Sequence, residues 1–185
     1  MKKQQPKSYT AIKEALYTLI SQNSFKQITI NDICLEANVS RSTFYKHFPD
    51  KYAILEQENK SICDTIDLSL KEFFTMANLE TSLTQLINTL DHSKFILLID
   101  IEDSSVNLRK DLKEVFKNNY LLYYEKKLIS QKWQIDSQFA IDMFCSIALT
   151  FLESSIKSQN QEQMKQNTAF IKEMVAMFLN IKIAS

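Results

Sequence analysis

The sequence predicts an all-α fold: an N-terminal three-helix head carrying a helix-turn-helix, joined by a long helix to a helical body. Three observations predict it. Glycine is absent from all 185 residues and proline occurs only twice, so turn signals are few. Apolar residues recur at helical spacing through most of the chain. Residues 28–51, ITINDICLEANVSRSTFYKHFPDK, hold two short helical patterns separated by a sharp turn and closed by Pro49 and Lys51.

Residues 1–8 read as a basic tail. Such an arm can add phosphate contacts or enter a minor groove, and the plainer reading is a frayed, solvated end. Ile12, Ala15, Leu16, Leu19 and Ile20 form the apolar stripe of the first helix, and Phe25 in the following loop should pack beneath the head. Ile30, Ile33, Cys34 and Ala37 fall at i, i+3, i+4 and i+7 of the second. Thr29 is its expected N-cap, with Asp32 completing an approximate capping box. Asn38 stands where the chain must turn through a left-handed backbone, for which Asn ranks after Gly. Val39 is expected to plug the core between the helices, and Ser40 to cap the third. Phe44 and Phe48, four apart, supply the third helix's inward face. Its outward face then carries Arg41, Ser42, Thr43, Tyr45, Lys46 and His47. Base edges in a major groove are read by such hydrogen-bonding groups. Asp50 can cap the next helix, where Lys51 and the first amides could hold a phosphate.

In this run the chain resembles TetR/AcrR-type transcriptional regulators. The matching residues are Thr29-Ile30-Asn31-Asp32-Ile33, Ala37, Val39 through Lys51, and Ile54-Leu55, within residues 9–55. The resemblance implies phosphate contacts from Thr29, Tyr45, His47 and Lys51. It implies base contacts from Arg41, Ser42, Thr43 and Lys46. Asn38 departs from the family, which usually has Gly there.

The expected domains are 1–52, a DNA-binding head, and 53–185, an effector-binding and dimerisation body. Formal net charge is zero, but residues 1–52 hold eight Lys or Arg against four acids, and the remainder fourteen against eighteen. A basic head on an acidic body suits DNA binding at one end.

From Asp50 to about Met76 the pattern stays helical, with Leu55, Ile62, Ile66, Leu70 and Phe73 inward, a rod of roughly 35–40 Å. Leu79–Leu90 reads as a helix. Asp91 is a plausible cap for the very apolar segment His92–Ile101, read as a buried helix because a lone strand is marginal. Glu102–Ser105 is a loop. Val106–Gln131 is a long helix with Leu108, Leu112, Val115, Phe116, Asn119, Leu122 and Tyr123 inward, followed by Trp133. The aromatics Phe73, Phe74, Phe95, Phe116, Tyr120, Tyr123, Tyr124 and Trp133 suit a pocket for a small, largely apolar effector, though ordinary core uses the same pattern. Phe73, His92, Phe95, Phe116, Tyr120 and Tyr123 are the effector-site candidates, and His92 also reads as a helix-start residue.

The last two helical segments, 136–157 and 163–182, are apolar on two sides and so need two apolar neighbours. The body supplies one, and a second subunit is the natural other, as the family's dimerisation through its last two long helices implies. Phe144, Ile147, Phe151, Phe170, Met174, Met177 and Phe178 are the interface candidates.

Without glycine there is no P-loop, dinucleotide loop or nucleophile elbow, and no catalytic residues, cofactor or metal are expected. Three scattered cysteines read as reduced cytoplasmic thiols, with redox sensing a secondary reading. The apolar run near the N-terminus is broken by Lys13 and Glu14, which argues against a signal peptide. The longest uncharged apolar run, Met143–Leu152, is far below the ~20 residues of a membrane span. The expectation is a cytoplasmic homodimeric repressor, released from a palindromic double-stranded operator by an unidentified small molecule. An alternative is a protein of the same fold acting as an adaptor through protein partners, for which the donor set from Arg41 to His47 has no use.

Overall fold

In the computed structural model, residues 6–75, 79–123, 136–158 and 160–179 are described. Within them every regular element is a helix: α1 Lys7–Ile20, α2 Ile30–Glu36, α3 Arg41–His47, α4 Lys51–Thr75, α5 Leu79–Thr89, α6 His92–Ile99, α7 Leu108–Tyr123, α8 Ser137–Lys157 and α9 Gln161–Leu179. The chain divides into two compact units. One runs up to Lys60 and takes in Leu97–Asn107; the other comprises Ser61–Ile96 and the chain from Leu108 onward.

In the first unit α1 packs on α2 and α3, and α2 on α3. Their shared core is Ile12, Leu16, Ile33, Phe44 and Phe48, with Phe25 and Ile28 from the intervening loop. The expected periodicity is the one that folds, with two differences. The first helix starts at Lys7, behind Pro6, so Lys7 and Ser8 belong to it and not to a tail. Val39 is only half-buried, because the turn itself closes the gap between the helices.

That turn is built from backbone bonds. The Val39 N–H donates to the Cys34 carbonyl at 2.9 Å and the Asn38 N–H to the Leu35 carbonyl at 3.1 Å, a Schellman motif around Asn38 at φ 50°. Asn tolerates this left-handed backbone but glycine does so without cost. Asn38→Gly should therefore stabilise the protein by roughly 0.5 kcal/mol, whereas Asn38→Val should cost about 1–2 kcal/mol in urea unfolding. A valine variant as stable as the parent would contradict the strained turn.

A second feature binds α1 to the first turns of α4. The Tyr9 hydroxyl donates to Gln57 Oε1 at 2.5 Å, the Tyr17 hydroxyl to Glu58 Oε2 at 2.5 Å, and the Lys13 ammonium pairs with Glu58 Oε1.

In the second unit α7 packs on α8, α8 on α9, and α5 on both α8 and α9. Phe95 of α6, with Leu83, Leu86 and Ile87 of α5, is buried there, as are Leu112 and Phe116 of α7 and Leu149 and Leu152 of α8. Asp91 caps α6 as expected, its Oδ1 accepting from the Lys94 N–H at 3.2 Å and the Ser93 hydroxyl at 2.7 Å. Asp136 caps α8 through the Phe139 N–H at 2.9 Å. Arg109 grips Glu153 with two parallel bonds of 2.9 Å, joining α7 to α8. Asn119, 2% exposed, donates to Asp67 Oδ1 at 2.8 Å and joins α7 to α4.

Leu122 corrects the inward list for this helix, because it is 51% exposed. The buried residues Leu108, Leu112, Phe116 and Tyr120 advance by fours, a stripe that drifts around the helix and leaves Leu122 on its trailing edge. By length and composition α8 is apolar enough to cross a membrane. One side of it is nevertheless buried, and its Glu153 is paired with Arg109.

Candidate nucleic-acid interface

The site is assembled by caps. Thr29 accepts from the Asp32 N–H at 3.2 Å while Asp32 Oδ2 accepts from the Thr29 N–H at 2.8 Å, so the capping box is complete with Asp in the third position. The Thr29 hydroxyl also donates to Asp32 Oδ2 at 2.7 Å, and these bonds hold the Asp32 carboxyl below its usual pKa. Ser40 caps α3 by accepting from the Thr43 N–H at 3.1 Å. Phe44 and Phe48 are fully buried, and this fixes the rotation of the short helix.

With that face anchored, Arg41, Ser42, Tyr45 and Lys46 are exposed, and Thr43 and His47 are half-buried. Arg41 and Tyr45 are four apart, as are Ser42 and Lys46, so the outward surface is two adjacent pairs one helical turn long. Arg41 Nη2 donates to the Tyr45 hydroxyl at 3.4 Å, a bond that raises the guanidinium's pKa further and keeps it cationic. Ser42 and Thr43 hydroxyls each lie 2.9 Å from Ser40 Oγ.

His47 is partly committed. Its Nε2 lies 2.8 Å from Ser8 Oγ, and its ring stands edge-on to Tyr9 with centroids 5.9 Å apart. Tyr9 in turn stacks on Phe48 at 5.1 Å. Sequence reading missed Ser8 and Tyr9, and Pro6, a helix-start signal, was the clue that α1 began early enough to carry them.

Lys51 is engaged within the head. Its ammonium donates to the carbonyls of Ile28 at 2.7 Å, Phe25 at 2.8 Å and Lys26 at 3.3 Å, so in this conformation its hydrogens are directed into the head. Desolvation draws its pKa down, opposed by the Asp103 carboxylate. The expected cap of α4 is present, Asp50 Oδ1 accepting from the Ala53 N–H at 2.8 Å.

The expected body residues are less concentrated. Phe95 and Phe116 are buried core, and Tyr120 packs on Phe144 with ring centroids 5.3 Å apart. His92 Nε2 lies 2.9 Å from the Ile87 carbonyl, which suits its reading as a helix-start residue. Phe73 and Tyr123 side chains, and Tyr124 and Trp133 altogether, lie outside the described residues. Of the interface candidates, Ile147, Phe151 and Phe170 line one groove of about 370 Å³ between α8 and α9, with Ser146, Thr150, Ser154, Asn167 and Ile171. Phe144 and Met174 are half-buried, and the side chains of Met177 and Phe178 lie outside the described ones. Phe139 and Phe170 are 58% and 60% exposed. Burial pushes the Cys145 thiol up to about 11 and raises Cys34 as well. Both are therefore poor nucleophiles. Among the described residues no group of His, Cys, Asp or Glu could hold a metal ion.

Residues 12–57 match the profile of bacterial regulatory proteins of the tetR family. An uncharacterized HTH-type transcriptional regulator, YxbF of Bacillus subtilis (strain 168), is 26% identical over 126 residues, 63% of this chain. The match spans 33% of that relative, so the chain corresponds to about a third of its length. Two solved structures share the fold. A TetR transcriptional regulator from Streptococcus agalactiae 2603V superposes with a TM-score of 0.65 at 19% identity, over 91% of this chain and 93% of its own. The fatty acid degradation regulator FadR of Bacillus halodurans superposes with a TM-score of 0.58 at 20% identity, over 99% and 100%. Residues 12–57, with their capped helix-turn-helix, are thus similar to the DNA-binding region of tetR-family regulatory proteins, and the all-helical architecture around them is the fold that those two solved structures share.

Proposed function

We propose that the chain is a sequence-specific DNA-binding transcriptional regulator, a cytoplasmic homodimer that represses from a palindromic operator and is released by a small molecule. One observation carries the reading: α3 is locked by Phe44 and Phe48 so that Arg41, Ser42, Tyr45 and Lys46 stand outward together. Arg41, Ser42, Thr43 and Lys46 face base edges, and Tyr45, Thr29 and His47 serve the phosphates. Residues 1–52 act as the reading head and 53–185 as the effector-binding and dimerising body. Random-oligonucleotide selection with the purified chain should return a palindrome whose half-sites lie about one helical turn apart, roughly 34–36 Å. Recovery of no enriched sequence would sink the proposal.

The dimer reading is supported by the open groove between α8 and α9, flanked by exposed Phe170. A charge placed there has no partner when desolvated. Phe170→Glu should convert the dimer to a monomer in sedimentation at micromolar concentration, with the helical signal unchanged. A stable dimer carrying this substitution would place the interface elsewhere. Release follows if an effector binds more tightly to a body shape that spreads the heads, and only by that difference in affinity.

A further inference from the structure

We infer that Lys51 is a positioning residue for the reading head, which clamps the loop before α2 and does not touch a phosphate. The inference rests on the DNA-binding reading above, and it departs from the phosphate contact that the family resemblance implies for this residue.

A lysine ammonium has three hydrogens and no acceptor. Here it has three carbonyls within reach, those of Phe25, Lys26 and Ile28, at 2.8, 3.3 and 2.7 Å. Two aromatic rings complete the enclosure: Nζ stands 4.5 Å from the Phe25 centroid and 5.5 Å from that of Tyr52. Those rings meet edge to face at 5.3 Å, and Phe25 is 5% exposed. Carbonyl oxygens and ring faces both present negative potential to a cation. The structure thus contains a small cation cage, filled by the chain's own side chain. Reaching outward to a phosphate would empty it and leave the part-buried carbonyls of Phe25 and Ile28 without this donor, at a desolvation cost.

The position of the cage gives it a consequence. The loop it grips ends at Ile28, and the next residue, Thr29, is the N-cap of α2. Lys51 itself is the first residue of α4, immediately after the segment that follows α3. The clamp therefore joins the chain just before the helix-turn-helix to the chain just after it. An unclamped loop would let α2, and the Schellman turn and α3 behind it, sample more orientations. Each orientation lost to DNA lowers affinity without changing the number of phosphates neutralised.

That last point separates the two roles. The test uses the whole 185-residue chain with Lys51→Met, which keeps the stem and removes the ammonium, and Lys51→Arg, whose planar fork cannot reproduce three donors around one nitrogen. Amide hydrogen exchange is measured without DNA, and affinity for the selected duplex is measured across a salt series. Exchange at Gln27, Ile28 and Thr29 should speed up by about tenfold in both variants. Affinity should fall by about tenfold with the slope of log K against log salt unchanged. A slope flattened by about 0.9 per head in Lys51→Met, restored by Lys51→Arg, would instead establish the phosphate contact and overturn the clamp. Unchanged exchange at residues 27–29 in Lys51→Arg overturns it whatever the DNA result, which also covers a methionine variant that fails to fold. If the parent protein shows no duplex preference, the DNA-binding reading fails, and the exchange comparison still decides the clamp.

Discussion

Arg41→Ala is expected to lower affinity for the selected operator by roughly 10- to 100-fold per half-site while leaving binding to random duplex nearly unchanged. The guanidinium is exposed at the first position of α3, where a helix entering a major groove brings its N-terminal residues to the base edges. Its fork suits the two acceptors of guanine, and the long bond to the Tyr45 hydroxyl biases its direction at little cost, so it can be exchanged for a base. Arg41→Lys makes the sharper comparison. A lysine keeps the charge but not the paired donors, so it should retain the salt dependence and lose the base preference. If the alanine variant instead loses affinity equally for all duplexes and flattens the salt slope by about one per head, Arg41 contacts phosphate and the reading set shifts to Ser42 and Lys46.

The features legible in the sequence share a range. Caps at Thr29, Ser40 and Asp91 join residues two or three apart, and the Asn38 turn closes within five. Chemistry at that distance is written in adjacent letters, and the core stripe Ile12, Leu16, Ile33, Phe44, Phe48 follows from helical period alone. What was not legible depends on partners brought in from far along the chain. Nothing beside Lys51 says that three carbonyls 23 to 26 residues earlier will surround it. His47 looks like a free imidazole until Ser8, 39 residues away, arrives next to it. The groove between α8 and α9 is an intermediate case. Two-sided apolar helices announce that something covers them, and the exposure of Phe170 with burial of its neighbour Ile171 shows which side of α9 its own unit covers.

Glu58→Ala should cost about 3 kcal/mol in urea unfolding, because it strips the acceptor from two groups at once. Tyr9, Lys13 and Tyr17 stand at i, i+4 and i+8 and make one ridge along α1. That ridge meets Gln57 and Glu58 of α4, and Lys13 Nζ stands 5.4 Å from the centroid of the Tyr9 ring. Glu58 is 9% exposed and Tyr17 7%, so the phenol does not regain full hydration when the carboxylate goes, and the Lys13 ammonium, on a side chain 21% exposed, regains it only in part. An apolar reading of α1 finds Ile12 and Leu16 and passes over this second face, since a Tyr-Lys-Tyr spacing resembles a solvated surface. The opposing expectation concerns the whole trio. A part-buried ion pair also costs desolvation that its own attraction only roughly repays, so Lys13→Met, Tyr17→Phe and Glu58→Leu together should lie within about 1 kcal/mol of the parent. The triple variant would then be stable while lacking the polar register between α1 and α4. If it binds the operator as the parent does, apolar packing alone sets the angle of α1 on α4. If it stays folded but loses discrimination between operator and random duplex, the network is there to fix geometry, and its small net contribution to stability is what the desolvation balance predicts.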